Sequence, residues 1–169
     1  MTAPADDVTS DLQSTIAALR QERDAALARE AALIARQTAS TEVLQAISAS
    51  PDDPQAVFEL IARHARELCD ADTVGVVEFD GTLMHMRALE RADRAAADRL
   101  RQAFPRPPGP ETMSGRTVLA GQIVHARDPS TLSLNLGGKS ACGVPLLSSG
   151  QAIGAIVLSR AEAGGFDDA

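Results

Sequence analysis

The sequence predicts an α+β fold, a central antiparallel sheet with flanking helices, preceded by one long helix. Three observations carry this. Residues 11–48 contain neither Pro nor Gly and consist mainly of Ala, Leu, Arg, Glu and Gln, the strongest helix formers. The β-branched run "TVGVVEF" ends in Asp80-Gly81, a strong hairpin signal, and "LMHMRALE" follows at once. Residues 140–160, "SACGVPLLSSGQAIGAIVLSR", are two apolar runs around a polar, glycine-bearing turn. Strands, then helices, then strands again give an α+β domain.

The long helix comes first. Leu12, Ile16, Leu19, Arg23, Ala26, Glu30, Leu33, Gln37, Ser40, Leu44 and Ile47 recur in steps of four and three, the spacing of a heptad seam. Polar Arg23, Glu30 and Gln37 fall at successive a positions, which weaken a seam while fixing its register. A helix of roughly 35–40 residues spans about 55 Å and outreaches a small domain. The expectation is therefore a parallel homodimer through Leu12, Ile16, Leu19, Leu33, Leu44 and Ile47. The competing reading packs a second stripe, Leu27, Ala31 and Ile34, on the protein's own domain.

At "SASPDDPQ", Pro51 forces the preceding residue out of the helical region, and Asp53 can cap a new helix that begins at Pro54. This sets a boundary between a helix in residues 1–50 and a domain in 51–169. In the helix Pro54 to Leu68, Val57, Ile61, His64 and Leu68 line an apolar stripe, widened by Phe58, Leu60 and Ala65. His64 sits at its edge, where a packed or hydrogen-bonded histidine is the expectation. In the second strand, alternation puts Met84, Met86 and Ala88 on the core face and His85 and Arg87 on the solvent side.

"ADRAAADRLRQAF" resumes a helical period through Ala96, Leu100 and Phe104, and "PRPPGP" ends it. A short helix from Ser114 to Ala120 stops at Gly121. "IVHARD" is a brief strand, with His125 facing opposite to Val124 and Ala126. "DPSTLSLNLGGKS" has no period and is left unassigned as a candidate cover. Ala141 to Leu147 and Ala152 to Ser159 form a central hairpin, and their continuous apolarity means that both faces of the sheet are covered.

Composition narrows the function. With 169 residues there is room for one domain and one extended element. Hydrophobic residues reach 44% but aromatics only 2%, so the core is aliphatic. A net charge of -7 argues against a nucleic-acid partner, which needs clustered Lys and Arg. Cys69 and Cys142 are far apart in sequence and no secretory leader pattern precedes them, so free thiols and a cytoplasmic location are expected. No apolar run reaches the roughly 20 residues that a membrane span needs. No phosphate loop, nucleophile elbow, carboxylate pair or metal-ligand spacing stands out, so neither a catalytic residue nor a metal is assigned.

"TEVLQAISASPDDPQAVFELIARHARELCDADTVGVVEFDG", "TMSGRTVLAGQIVHARD" and "CGVPLLSSGQAIGAIVLSR" together resemble a GAF domain, particularly those of bacterial sensor histidine kinases and related signalling proteins. The order of "LCDAD", "GR" and "VPL" followed by "G" carries the resemblance, which runs from about residue 40 to the end. The preceding helix is similar to the signalling helices found ahead of such domains. The resemblance implies a sensory module that binds a small effector between sheet and covering loops, or dimerises without one, and relays a signal through helices.

The cofactor is left open. Bilin-binding members attach the chromophore through a Cys commonly followed by His, whereas Cys142 precedes Gly143 and Cys69 precedes Asp70, so a bilin is disfavoured. The Asn-Lys, Phe, Asp-Glu signature of cyclic-nucleotide binders is absent, and so are Tyr and Trp as stacking platforms. Some GAF-like proteins are thiol enzymes that reduce free methionine sulfoxide, but their Cys pattern is missing, so no catalysis is expected in this chain. The candidate ligand-binding residues are Met86, His125 and Cys142. "GGFDDA" matches the place where the family's final helix begins, so the domain is expected to lack that helix and to be a fragment or a naturally shortened partner.

Overall fold

The computed structural model of the protein describes residues 5–49, 54–91, 93–126, 130, 132, 138–162 and 166. The first element is a single helix, α1 (Ala5–Ala49). Its serines and threonines do not interrupt it, because Thr15, Ser40, Thr41 and Ser48 each donate a hydroxyl to the carbonyl four residues back. The chain divides into two compact units, Met1–Thr41 and Glu42–Ala169. In the first unit Leu12, Ile16, Leu19 and Leu33 of the heptad seam are exposed, as are Leu27 and Ile34 of the alternative stripe.

The second unit holds α2 (Pro54–Leu68), β1 (Thr73–Phe79), β2 (Met84–Arg91), α3 (Arg94–Gln102), α4 (Met113–Ala120), β3 (Val124–Ala126), β4 (Ser140–Ser148) and β5 (Gln151–Arg160). The strands form one antiparallel sheet in the order β2-β1-β5-β4-β3, with β5 at its centre. The β4–β5 hairpin turns through Ser149 (φ 51°) and Gly150 (φ 80°), two consecutive left-handed residues whose twist matches that of the strands. The halves of the two apolar runs distant from the turn are buried in the sheet, whereas Leu147 and Ile153 beside the turn are exposed, which corrects the expectation that both faces are covered along the whole hairpin.

On one face α2 packs against Val74, Val76, Ala88, Cys142 and Leu158. Its inward stripe runs through buried Ala62 and half-buried Phe58, Ile61 and Ala65, and continues to Cys69 just past its end. This corrects the expected stripe by a fraction of a turn: Ala62 is the fully buried position, and Leu68 is 46% exposed. A small residue at 62 lets the helix axis approach the sheet, which a stripe counted by apolar size alone overlooks.

On the other face lie α3 and α4. Val77, Met84, Val118 and Ala155 form one cluster there, and Leu89, Ala97 and Leu100 another. Ala88 does not share the face of Met84 and Met86. Val76 pairs with Ala88 but Val77 with Met86, so Arg87 is an extra residue in β2, and past this bulge the alternation changes phase. The expected common face of Met84, Met86 and Ala88 is corrected accordingly, with Leu89 taking the place expected of Ala88. The loop before β2 spans four residues, and Asp80 N–H bonds to the Leu83 carbonyl across it.

Close approaches of backbone explain the small signatures. Thr112 caps α4 by accepting from Gly115 N–H at 3.0 Å, and left-handed Gly121 ends it. A Cβ at Gly115 would meet the Gly109 carbonyl at 2.1 Å. Edge strand β2 is closed by its surroundings: Met84 pairs with Arg106, Gln55 Nε2 donates to the Arg87 carbonyl at 2.8 Å, and Arg101 reaches the Leu89 carbonyl. The expectations for Asp53, for most of the stretch 128–137 and for the absent final helix fall on residues outside those described.

Candidate functional site

The candidate site is a cavity between the sheet and the layer of α3 and α4. Its floor is Gly75 and Val77 of β1, Met86 of β2 and Val157 of β5; its roof is Leu100 of α3, Phe104, and Thr112 to Ser114 at the start of α4. Gly75 makes the space, because the absent side chain would point between Met86 and Leu89. The cavity is partly open to the surface, and its volume is about 30 Å³, room for roughly two waters. Organic ligands occupy pockets of about 300 Å³ or more, so admitting one requires the lining to move. Met86 and Met113 are unbranched and flexible, and they suit such repacking.

Most of the lining is apolar, and its polar groups converge at one end. Thr112 is 1% and Ser114 6% exposed. Ser114 Oγ lies 3.5 Å from Thr112 Oγ1, a long contact for two hydroxyls, while Thr112 Oγ1 is committed to the Gly115 amide. The end of the cavity at the α4 N-terminus therefore favours a ligand's acceptor oxygen.

The predicted residues divide between the two faces of the sheet. Met86 lines the cavity. His125 and Cys142 are paired in register across β3 and β4 and share the face covered by α2. Cys142 is 5% exposed in that cluster, and His125 is exposed at the edge. The structure thus brings His125 beside Cys142 and places the full thickness of the sheet between them and Met86. Sequence reasoning did not single out Gly75, Leu100, Phe104, Thr112, Met113 or Ser114. A lone Gly inside a β-branched run, and Thr112 three residues before Gly115, were the available signals.

A second, larger and less open groove of about 330 Å³ borders β2, with Gln55, Glu59, Arg87, Glu90 and Arg101 among its walls. Several of its polar groups are already engaged: Gln55 bonds to Glu59 and to the Arg87 carbonyl, and Arg101 bonds to Asp98 and to the Leu89 carbonyl. Among the described residues, no three His, Cys, Asp or Glu side chains are grouped to hold a metal. No described helix is long and apolar enough to cross a membrane.

A GAF domain family model matches residues 53–169. No curated protein sequence matches the chain. Among solved structures, the GAF domain of a phosphoenolpyruvate-protein phosphotransferase from Coxiella burnetii superposes with a TM-score of 0.60 at 15% identity, covering 78% of this chain and 81% of that one. A putative GAF sensor protein from Burkholderia vietnamiensis gives 0.58 at 20% identity over 79% and 84%. The free methionine-R-sulfoxide reductase of Neisseria meningitidis, in complex with its substrate, gives 0.55 at 20% identity over 75% of each chain. At these identities the likeness establishes the fold alone.

Proposed function

The chain belongs to the GAF domain family, and from that premise we propose that it is the sensory module of a cytoplasmic signalling protein of the histidine-kinase type. In this reading the domain holds a small, largely apolar effector beneath α3 and α4, and α1 joins two copies in parallel and carries the signal. The observation that supports it most is the cavity itself. It lies over β2, β1 and β5, is lined by movable methionines, and has the buried Ser114 hydroxyl at one end.

Catalysis by the chain is not part of the proposal. A thiol reductase needs a reactive Cys facing its substrate, whereas Cys142 is buried on the face opposite the cavity and Cys69 packs in that same cluster. Bilin attachment at Cys142 is opposed by the same placement. A thermal-shift screen of metabolites, with haem, cyclic nucleotides and methionine sulfoxide included, tests the reading. Stabilisation by a small organic molecule is the expected result. Thiol-dependent turnover of methionine sulfoxide that disappears in Cys142→Ser would overturn it in favour of an enzyme, and a dimer that binds nothing would favour a structural spacer.

A further inference from the structure

We propose that His64 is a charge-dependent latch that fastens the last turns of α1 to α2 through Glu42. Glu42 belongs to α1 and to the compact unit that contains the sheet. Its Oε2 lies 2.8 Å from His64 Nε2, and Glu67 Oε2 lies 3.9 Å from Nδ1, so a carboxylate stands beside each ring nitrogen. Yet Nε2 is buried and makes no aligned hydrogen bond. A neutral ring gains little from a carboxylate off its N–H direction, whereas an imidazolium is attracted by charge whatever the angle. The His64 side chain is 15% exposed, which limits screening of that attraction.

Among the described residues, Glu42 and Glu67 are the carboxylates that reach the ring nitrogens, while Glu90, paired in register with Val74, also lies on the face of the sheet under α2. Arg63 and Arg66 of α2 are exposed. On the strands under α2, Glu78 pairs with Arg87, His85 with Asp80, and Arg160 with the carbonyls of Cys69 and Asp70. In the turns that follow Glu42, Val43 and Ala46 are half-buried, while Leu44 and Ile47 are exposed. The latch therefore holds one side of the helix inward and leaves the heptad seam outward. Protonation of His64 tightens this attachment, and loss of the proton releases it. Shifts of α2 on the sheet thereby reach α1 with a strength set by pH.

The functional meaning rests on reading α1 as the signal path, but the latch is tested without ligand or output. Amide hydrogen exchange of the full chain, corrected for intrinsic rates and measured at constant association state, is compared at about pH 6 and about pH 8. In the wild type, protection of residues 42–49 is expected to be about two- to fivefold greater at the lower pH. That difference should vanish in His64→Gln and also in Glu42→Gln, whose exposed site spares the fold, while β1 amides stay unchanged. A pH difference that persists in both variants, or is absent from the wild type, overturns the proposal.

Discussion

Gly143 of β4 lies so close to Thr117 of α4 that a Cβ at 143 would stand 1.9 Å from the Thr117 Oγ1. Thr117 is fully buried, and its hydroxyl is fixed by donation to the Met113 carbonyl at 2.8 Å. This contact sets the distance between helix and sheet, and hence the height of the cavity. It also explains why Gly follows Cys142, since any side chain at 143 would displace α4.

Gly143→Ala should accordingly destabilise the protein by about 1–3 kcal/mol, the usual cost of overpacking, and lower Tm by about 3–10 °C. Adding Thr117→Ala removes the clashing oxygen. The double variant should then melt above Gly143→Ala, although Thr117→Ala alone costs stability. Calorimetry on the four proteins checks this, and additive losses would mean that the two residues do not set the spacing.

Asp80 gives a second test, at the β1–β2 turn. Its carboxylate accepts from the Leu83 and Thr82 amides at 2.8 Å each, and from His85 Nε2 at the same distance. These bonds, that from Leu83 foremost, lower its pKa from the ordinary 3.8 to about 2. Because the folded value lies below the unfolded one, the contribution is complete above about pH 4 and is lost as pH falls toward 2. A carboxyl titration by NMR should place Asp80 at the low end of the range. Asp80→Asn should loosen the turn at neutral pH and remove that acid-range transition.

The helix ends, the sheet and its central hairpin were legible in the sequence because each has a local cause: Pro54, Gly121, the Ser149-Gly150 turn and unbroken apolar runs. The division of the site was not. Whether Ala88 or Leu89 shares a face with Met86 depends on one extra residue in β2, and a bulge leaves no periodic trace in eight residues. Met86 and Cys142 are both buried-type residues on strands, and only strand order and register put them on opposite faces. The cavity's roof joins α3, Phe104 and the start of α4 across the "PRPPGP" loop, a juxtaposition that spacing along the chain does not encode.

The heptad seam yields a third prediction. Leu12, Ile16, Leu19, Leu33, Leu44 and Ile47 are all exposed on the single chain, and burying each Leu between two helices would contribute about 1.5–3 kcal/mol. Replacing Leu19 and Leu33 by Asp in both copies should weaken association by more than about a hundredfold. Replacing Arg23, Glu30 and Gln37 by Ile should tighten it. Light scattering across a concentration series decides, and a wild-type monomer at all concentrations would remove α1 from the proposed dimer.

The final prediction separates the cavity from the rest of the core. A methyl group added at Gly75 would stand 3.6 Å from Met86 Sδ and 3.8 Å from Leu89 Cδ1, ordinary contact distances with no backbone strain. Gly75→Ala should therefore be accommodated, and by restricting the unfolded chain and filling space it should stabilise the free protein by about 0.4–1 kcal/mol. The same methyl occupies the floor on which an effector would lie, so any ligand-induced rise in Tm should shrink or disappear. Cys142→Ala, on the opposite face, should do the reverse: it lowers the Tm of the free protein by leaving a small void while the ligand-induced rise remains. Melting curves of both variants, with and without a molecule that stabilises the wild type, distinguish the two faces. Loss of the shift in Cys142→Ala but not in Gly75→Ala would move the binding site beneath α2.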